Sequence, residues 1–259
     1  MKTKSCLVLA LALSTSLFAQ DATNTPAAKP AAPEIPIPTE PLSQATLDKI
    51  AAMTPIFDGK TLDGWKASKK GVNEMDVATQ WTVTNGVIAS LGAGRGVLYT
   101  TKQYGSYRII FNMRHVSGNK DHQACVLVYC YEPTEEQPAL DAIGGVQFQV
   151  PNGGSWDYRP GKNNGGKGVF IKPPHPKFNV HEWSQVEILV NTNGTARMAV
   201  AQPPGNKAVE TLDFNDPTAG RVGPFALQMH NGGLFDEYKD IRVEENPTED
   251  KLITTESDK

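Results

Sequence analysis

The sequence predicts an all-β protein, an antiparallel two-sheet sandwich or jelly roll. Three observations predict it. Residues 56–245 are a series of short apolar runs punctuated by turn signals. Several runs alternate strictly between apolar and polar residues, which suits half-buried strands. No helical period is sustained there, and Gly 23 and Pro 19 in 259 residues suit many tight connections. A hydrophobic share of 39% is enough for a core. The formal charge of −3 excludes a strongly basic nucleic-acid binder, because duplex affinity rests on neutralising phosphates.

The elements follow in order. Lys2 and Lys4 precede an apolar run, residues 6–18, too short for a comfortable membrane span, and Ala19 offers a cleavage site. Residues 1–19 therefore read as a signal peptide, and the protein as exported, to a periplasmic or extracellular location. No transmembrane segment is expected after cleavage. Residues 20–54 read as a Pro/Ala-rich linker ending in a short helix, residues 44–53, capped by Ser43. Residues 55–246 form the sandwich, and 247–259 a loose polar tail.

Within the sandwich, Asn85–Gly86 and the turn 191–194 mark two hairpins. Tyr107, Ile109, Phe111 and Met113 point one way, and Arg108, Asn112 and Arg114 the other. Residues 126–131 are apolar on both faces, as in a central strand. Cys125 precedes that run and Cys130 lies within it; on one strand they would lie roughly 16 Å apart on opposite faces. A disulfide needs Cα atoms within about 7 Å, so two free, buried thiols are expected. Trp65, Trp81 and Trp183 read as core.

Candidate site residues come from the same alternation. Gln147 and Gln149 share a face, Gln228 and His230 share another, and Arg114 belongs to a third polar row. Amides, His and Arg suit sugar hydroxyls, which both donate and accept; a solvated sheet face gives the same pattern. The loop 151–170 follows the Gln-x-Gln strand, so Trp156 and Tyr158 can stack on a pyranose while Asp157 and Arg159 supply charge. Its glycines do not form a phosphate loop, since no Gly-Lys-Ser/Thr opens a helix. His115, Asp121 and His122 offer metal donors, but their spacing matches no specific ligand pattern and suits a hairpin tip. No Gly-x-Ser-x-Gly elbow is present.

These motifs together resemble the 3-keto-disaccharide hydrolase domain family, also described as 3-keto-glucoside lyase/hydratase. The resemblance covers about residues 56–245. It rests on the stretch from Ile56 to Trp65 (IFDGKTLDGW), on Trp81 to Val87 (WTVTNGV), on Tyr104 to Tyr107 (YGSY), on His181 to Ser184 (HEWS) and on Gly223 to His230 (GPFALQMH). It implies an all-β jelly-roll sandwich of the concanavalin A-like lectin/glucanase type, with an oligosaccharide or glycoside as substrate. It also implies an acid where Gln147 stands, an Asp where Asn152 stands, and agreement at Gln149 and His230.

Such chemistry removes the C2 proton of a 3-keto-glucoside and expels the C1 substituent, so it needs a base and an acid. An amide cannot serve as base. The candidates are then His230, Asp121, Asp157 and Glu132, with His230 first because its ordinary pKa lies near neutrality. Gln147, Gln149, Asn152, Trp156, Arg159, Gln228 and Arg114 are the candidate substrate contacts. The cofactor is unknown; a divalent metal would polarise the ketone. The main alternative is a non-catalytic carbohydrate-binding sandwich that has lost the acidic residue. A glucanase is the weakest reading, for no strand carries a close carboxylate pair. A surface interaction module is a third.

Overall fold

A computed structural model describes residues 34–118, 124–162 and 169–257. The expectations for residues 1–33, and for Asp121 and His122, lie outside those residues. Helix α1 (Gln44–Ala52) starts at Ser43, whose hydroxyl accepts the Thr46 amide. Sixteen strands follow among the described residues. The first eight are β1 (Thr54–Pro55), β2 (Trp65–Lys69), β3 (Val72–Met75), β4 (Trp81–Thr84), β5 (Val87–Ser90), β6 (Gly96–Thr100), β7 (Tyr107–Ser117) and β8 (Ala124–Val128). The rest are β9 (Val146–Val150), β10 (Gly154–Asp157), β11 (Phe170–Ile171), β12 (Ser184–Val190), β13 (Thr195–Ala201), β14 (Val209–Asn215), β15 (Ala226–Met229) and β16 (Phe235–Glu245).

They form the predicted two-sheet antiparallel sandwich. The nine-stranded sheet runs β11-β14-β13-β12-β7-β16-β5-β4, with β1 beside β16. The seven-stranded sheet runs β10-β9-β8-β15-β6-β2-β3. Asn85 and Gly86, at φ 51 and 78, join β4 to β5, the positive pair that a type I′ hairpin requires. Tyr107, Ile109, Phe111 and Met113 of β7 meet Val126, Val146, Phe148 and Leu227 in the core between the sheets.

Strand β8 is apolar on both faces for a visible reason. Ala124, Val126 and Val128 enter the main core, while Leu127 joins Val97, Tyr99 and Ala226 in an outer cluster under Ala139, Ala142 and Ile143. The strand stops at Val128, and Tyr129 turns the chain at φ 55. Cys130 therefore lands in the outer cluster rather than continuing the alternation. Both thiols are free and buried.

Two surface expectations are corrected. Trp65 and Trp81 are core, but Trp183 is half-buried on the surface, with Arg114 and Lys239 over its ring at 4.8 and 4.3 Å. The tail is not loose through residue 257. Leu252, Ile253 and Thr254 are buried against the outer face of the nine-stranded sheet. The cause is a buried charge pair that needs more partners than the sheet supplies. Arg108 donates to Glu187 at 2.8 Å, pairs with Glu244, and donates to the carbonyls of Glu249 and Lys251. Glu187 accepts the amides of Ile253 and Thr254 and the Thr254 hydroxyl. Ile50 and Met53, at the end of α1, pack with Ile110 and Ile253 on this face, and Ser43 N donates to Glu256 at 2.6 Å. Residues Glu34–Lys259 form one unit, so the body begins within the stretch read as linker. No helix among the described residues is long and apolar enough to cross a membrane.

Candidate functional site

The register of the seven-stranded sheet fixes which side chains meet. Trp156 pairs with Gln147, and Gln147 with Leu127. Gly154 pairs with Gln149, Gln149 with Cys125, and Cys125 with Gln228. Cross-strand partners project to the same side. Gln147, Gln149, Cys125, Gln228 and Trp156 therefore share the outer face, opposite the core. The segment 131–144 covers one end of that face. Beside that segment lies a cavity of about 510 Å³, lined by Arg95, Asp141, Trp156, Asp157, Tyr158, Lys162 and His230.

A chain of hydrogen bonds joins the cavity to the sheet beneath it. The Tyr158 hydroxyl donates to Gln147 Oε1 at 3.1 Å and lies 3.2 Å from His230 Nδ1. Gln147 Nε2 donates to Cys125 Sγ at 3.0 Å. Burial pushes the Tyr158 phenol up to about 12, against a smaller opposing pull from the Gln228 amide. Burial also raises the Cys125 thiol well above its ordinary value. Both groups keep their protons at neutral pH. Gln228 is 1% exposed, and neither atom of its amide completes a well-formed hydrogen bond within the protein. Such a buried amide costs stability until something bonds to it. Arg95 anchors the rim, donating to Asp141 at 2.6 Å and to the His230 carbonyl at 2.8 Å.

The other candidates are placed as follows. Gln149 is half-buried one row away, lying over Gly154: a Cβ there would sit 1.6 Å from Gln149 Oε1. Trp156 is 39% exposed beside Tyr158, with ring centroids 6.2 Å apart. Asn152 clamps the backbone of Phe178, accepting its N–H at 2.8 Å and donating to its carbonyl at 3.0 Å.

Asp157 points the other way, into the edge of the sandwich, because it neighbours outward-facing Trp156 on β10. Its carboxylate is fully buried and takes Arg159 Nε at 3.0 Å and Nη2 at 2.6 Å. Arg159 continues to Asp216 at 2.7 Å and Thr218 at 3.1 Å. Asp157 and Arg159 thus form a buried lock with Asp216, while Asp157 also borders the cavity.

Arg114 lies on the outer face of the opposite sheet, paired with Glu237 at 2.7 Å. His115 is fully buried, with Nδ1 2.7 Å from Asp236. Glu132 pairs with Lys66 at 3.1 Å. Among the described residues no group of three His, Cys, Asp or Glu side chains stands close enough to hold a metal ion.

Sequence reasoning missed Arg95, Asp141, Lys162 and the polar role of Tyr158. The alternation of β8 places Cys125 beside the two glutamines, a signal available in the sequence. Arg95 sits in a bend and Asp141 opens a short 3₁₀ helix, and neither carried one.

The sequence profile of 3-keto-alpha-glucoside-1,2-lyase-like domains matches residues 52–244. No curated protein matches the sequence. Among solved structures, a candidate glycosyl hydrolase from Parabacteroides distasonis is 16% identical, with a TM-score of 0.53. That match covers 80% of this chain and 98% of the other. A carbohydrate-binding module from Bacillus subtilis is 13% identical, with a TM-score of 0.49, covering 74% of this chain and 97% of its own. The first likeness supports the sandwich fold. With a profile match across most of the chain, this protein belongs to the 3-keto-alpha-glucoside-1,2-lyase-like domain family, a carbohydrate-active kind of domain.

Proposed function

We propose that this is an exported enzyme that cleaves 3-keto-glycosides at the cavity on the outer face of the seven-stranded sheet. His230 is the base. Its imidazole takes the C2 proton, which the neighbouring ketone makes acidic, and the C2–H electrons pass into an enolate. Collapse of the enolate forms the C1–C2 double bond and breaks the bond from C1 to the glycosidic oxygen. The departing oxygen takes a proton from the imidazolium and leaves as an alcohol. Water adding across the double bond then gives the free 3-keto sugar. Trp156 offers a face for the ring, and the amides of Gln228 and Gln149 meet its hydroxyls. The observation that carries this reading is the placement of His230 and Tyr158 on one wall of a polar cavity beside an exposed tryptophan.

Incubating the protein with 3-keto-trehalose or a 3-keto-glucoside should release glucose or the aglycone. His230→Ala should lower kcat/KM by about 10²–10⁴-fold, the span usual for a lost general base. A parallel run with EDTA reads any metal requirement. A second reading, a carbohydrate-binding module without turnover, is favoured by one observation: an amide, Gln147, stands where the family resemblance places an acid. Saturable sugar binding with no product would establish that reading and end the first.

A further inference from the structure

We propose that Gln147 and Tyr158 set the tautomer of His230. Tyr158 gives its one proton to Gln147 Oε1 and accepts the Nδ1 proton of His230, which puts the imidazole lone pair on Nε2. This rests on reading His230 as the base, and it makes Gln147 and Tyr158 positioning residues.

A phenol has a single donor and two acceptor sites. Its oxygen lies 3.1 Å from Gln147 Oε1 and 3.2 Å from His230 Nδ1. The single proton can satisfy only one of these contacts. An amide oxygen has no proton, so Tyr158 must supply the proton of the first. Nδ1 must then supply the proton of the second. The orientation of the Gln147 amide decides the matter: its Nε2 lies 3.0 Å from the buried Cys125 sulfur, which leaves Oε1 to the phenol.

The opposite order uses the same heavy atoms. If the amide were reversed, the thiol would donate to Oε1, Nε2 would donate to Tyr158, and Tyr158 would donate to Nδ1. The imidazole would then carry its proton on Nε2, with the lone pair turned inward to the phenol. That form is not a base toward a substrate at Nε2. The structure therefore assigns Gln147 a definite task. It is no base itself, yet it presents to Tyr158 an acceptor, as a carboxylate would.

Where the family resemblance implies an acid, Gln147 keeps the order of protons without a charge. Gln147→Glu supplies the reference, because a carboxylate can only accept and locks Tyr158 into donating to it. Tyr158→Phe supplies the opposite case, because the relay loses its central atom.

The test reads the tautomer by NMR on protein labelled with ¹⁵N and ¹³C histidine, with the His230 signals identified by their loss in His230→Gln. The ring ¹⁵N and ¹³Cδ2 shifts distinguish the two tautomers. Wild type and Gln147→Glu should both show Nδ1–H. Tyr158→Phe should shift His230 toward Nε2–H, and its kcat should fall more than its KM changes. An Nε2–H signature in the wild type, or an unchanged signature in Tyr158→Phe, overturns the proposal. If Tyr158→Phe does not fold, a difference in tautomer between wild type and Gln147→Glu overturns it alone, and agreement on Nδ1–H upholds it. The signature does not depend on turnover. An inactive protein with the Nδ1–H form refutes the base assignment and leaves the relay standing. An active one with the Nε2–H form refutes the relay and, with it, Nε2 as the basic atom.

Discussion

Gly154 is a position where one methyl group reports on the cleft. A Cβ would meet Gln149 Oε1 at 1.6 Å and Gln149 Cβ at 2.8 Å, so the glutamine has to leave its place. Gly154→Ala should cost about 1–3 kcal/mol by overcrowding. Because it displaces Gln149, it should also raise KM for a keto-glycoside with little change in kcat. Steady-state kinetics and urea unfolding of the variant separate the two effects; an unchanged KM would remove Gln149 from the contact set.

Legibility at this scale followed chemistry of different ranges. The shared face of Gln147 and Gln149 was readable, because strand alternation is a local property. The fate of Asp157 and Arg159 was not, because their third partner, Asp216, lies 57 residues beyond Arg159 in the sequence. Arg114 was readable as outward-facing but not as belonging to the other sheet. Period-two patterns name a face without naming the sheet.

Among elements, the lock at the open edge of the sandwich has a pH signature. Burial pushes the Asp216 carboxyl up, but hydrogen bonds from Thr218 and Arg159 outweigh it and hold the group far below the usual carboxylate range. A depressed native pKa stabilises the fold above the unfolded value, about 3.9. That contribution is lost as pH falls through the native value. Asp216→Asn should therefore destabilise the protein at pH 7, by about 3 kcal/mol, since it leaves Arg159 buried with one partner fewer. The gap from wild type should narrow as pH falls below about 4. Urea unfolding at pH 7 and pH 3 measures both; an equal gap at the two values would contradict the account. Hairpins such as β4–β5 were legible because Asn-Gly states its own backbone geometry. The end of β8 at Val128 was not, because nothing in a run of apolar residues announces the positive φ at Tyr129.

At the scale of the whole molecule, the two sheets divide the labour. The outer face of the smaller sheet carries the cavity described above, and α1 and the tail cover part of the outer face of the larger one. Removing residues 247–259 would strip Glu187 of three hydrogen bonds and open Leu189 and Ile110 to water. The truncated protein should lose at least about 3 kcal/mol while keeping its affinity for sugar at temperatures where it is folded. Thermal unfolding and sugar titration test the two halves of that statement. The sandwich itself was legible from its punctuation. The docking of the tail was not, because Leu252 and Ile253 are too few to make a pattern.

The contact of Ser43 with Glu256 brings the tail within one hydrogen bond of the start of α1. A peptide linker from Glu256 to Glu34, which keeps the paired stretch 34–42, would close the chain into a ring. A fresh opening cut at the Asn193–Gly194 turn between β12 and β13 would then yield a circular permutant with the same sheets and the same cavity. The order of synthesis is therefore separable from the architecture.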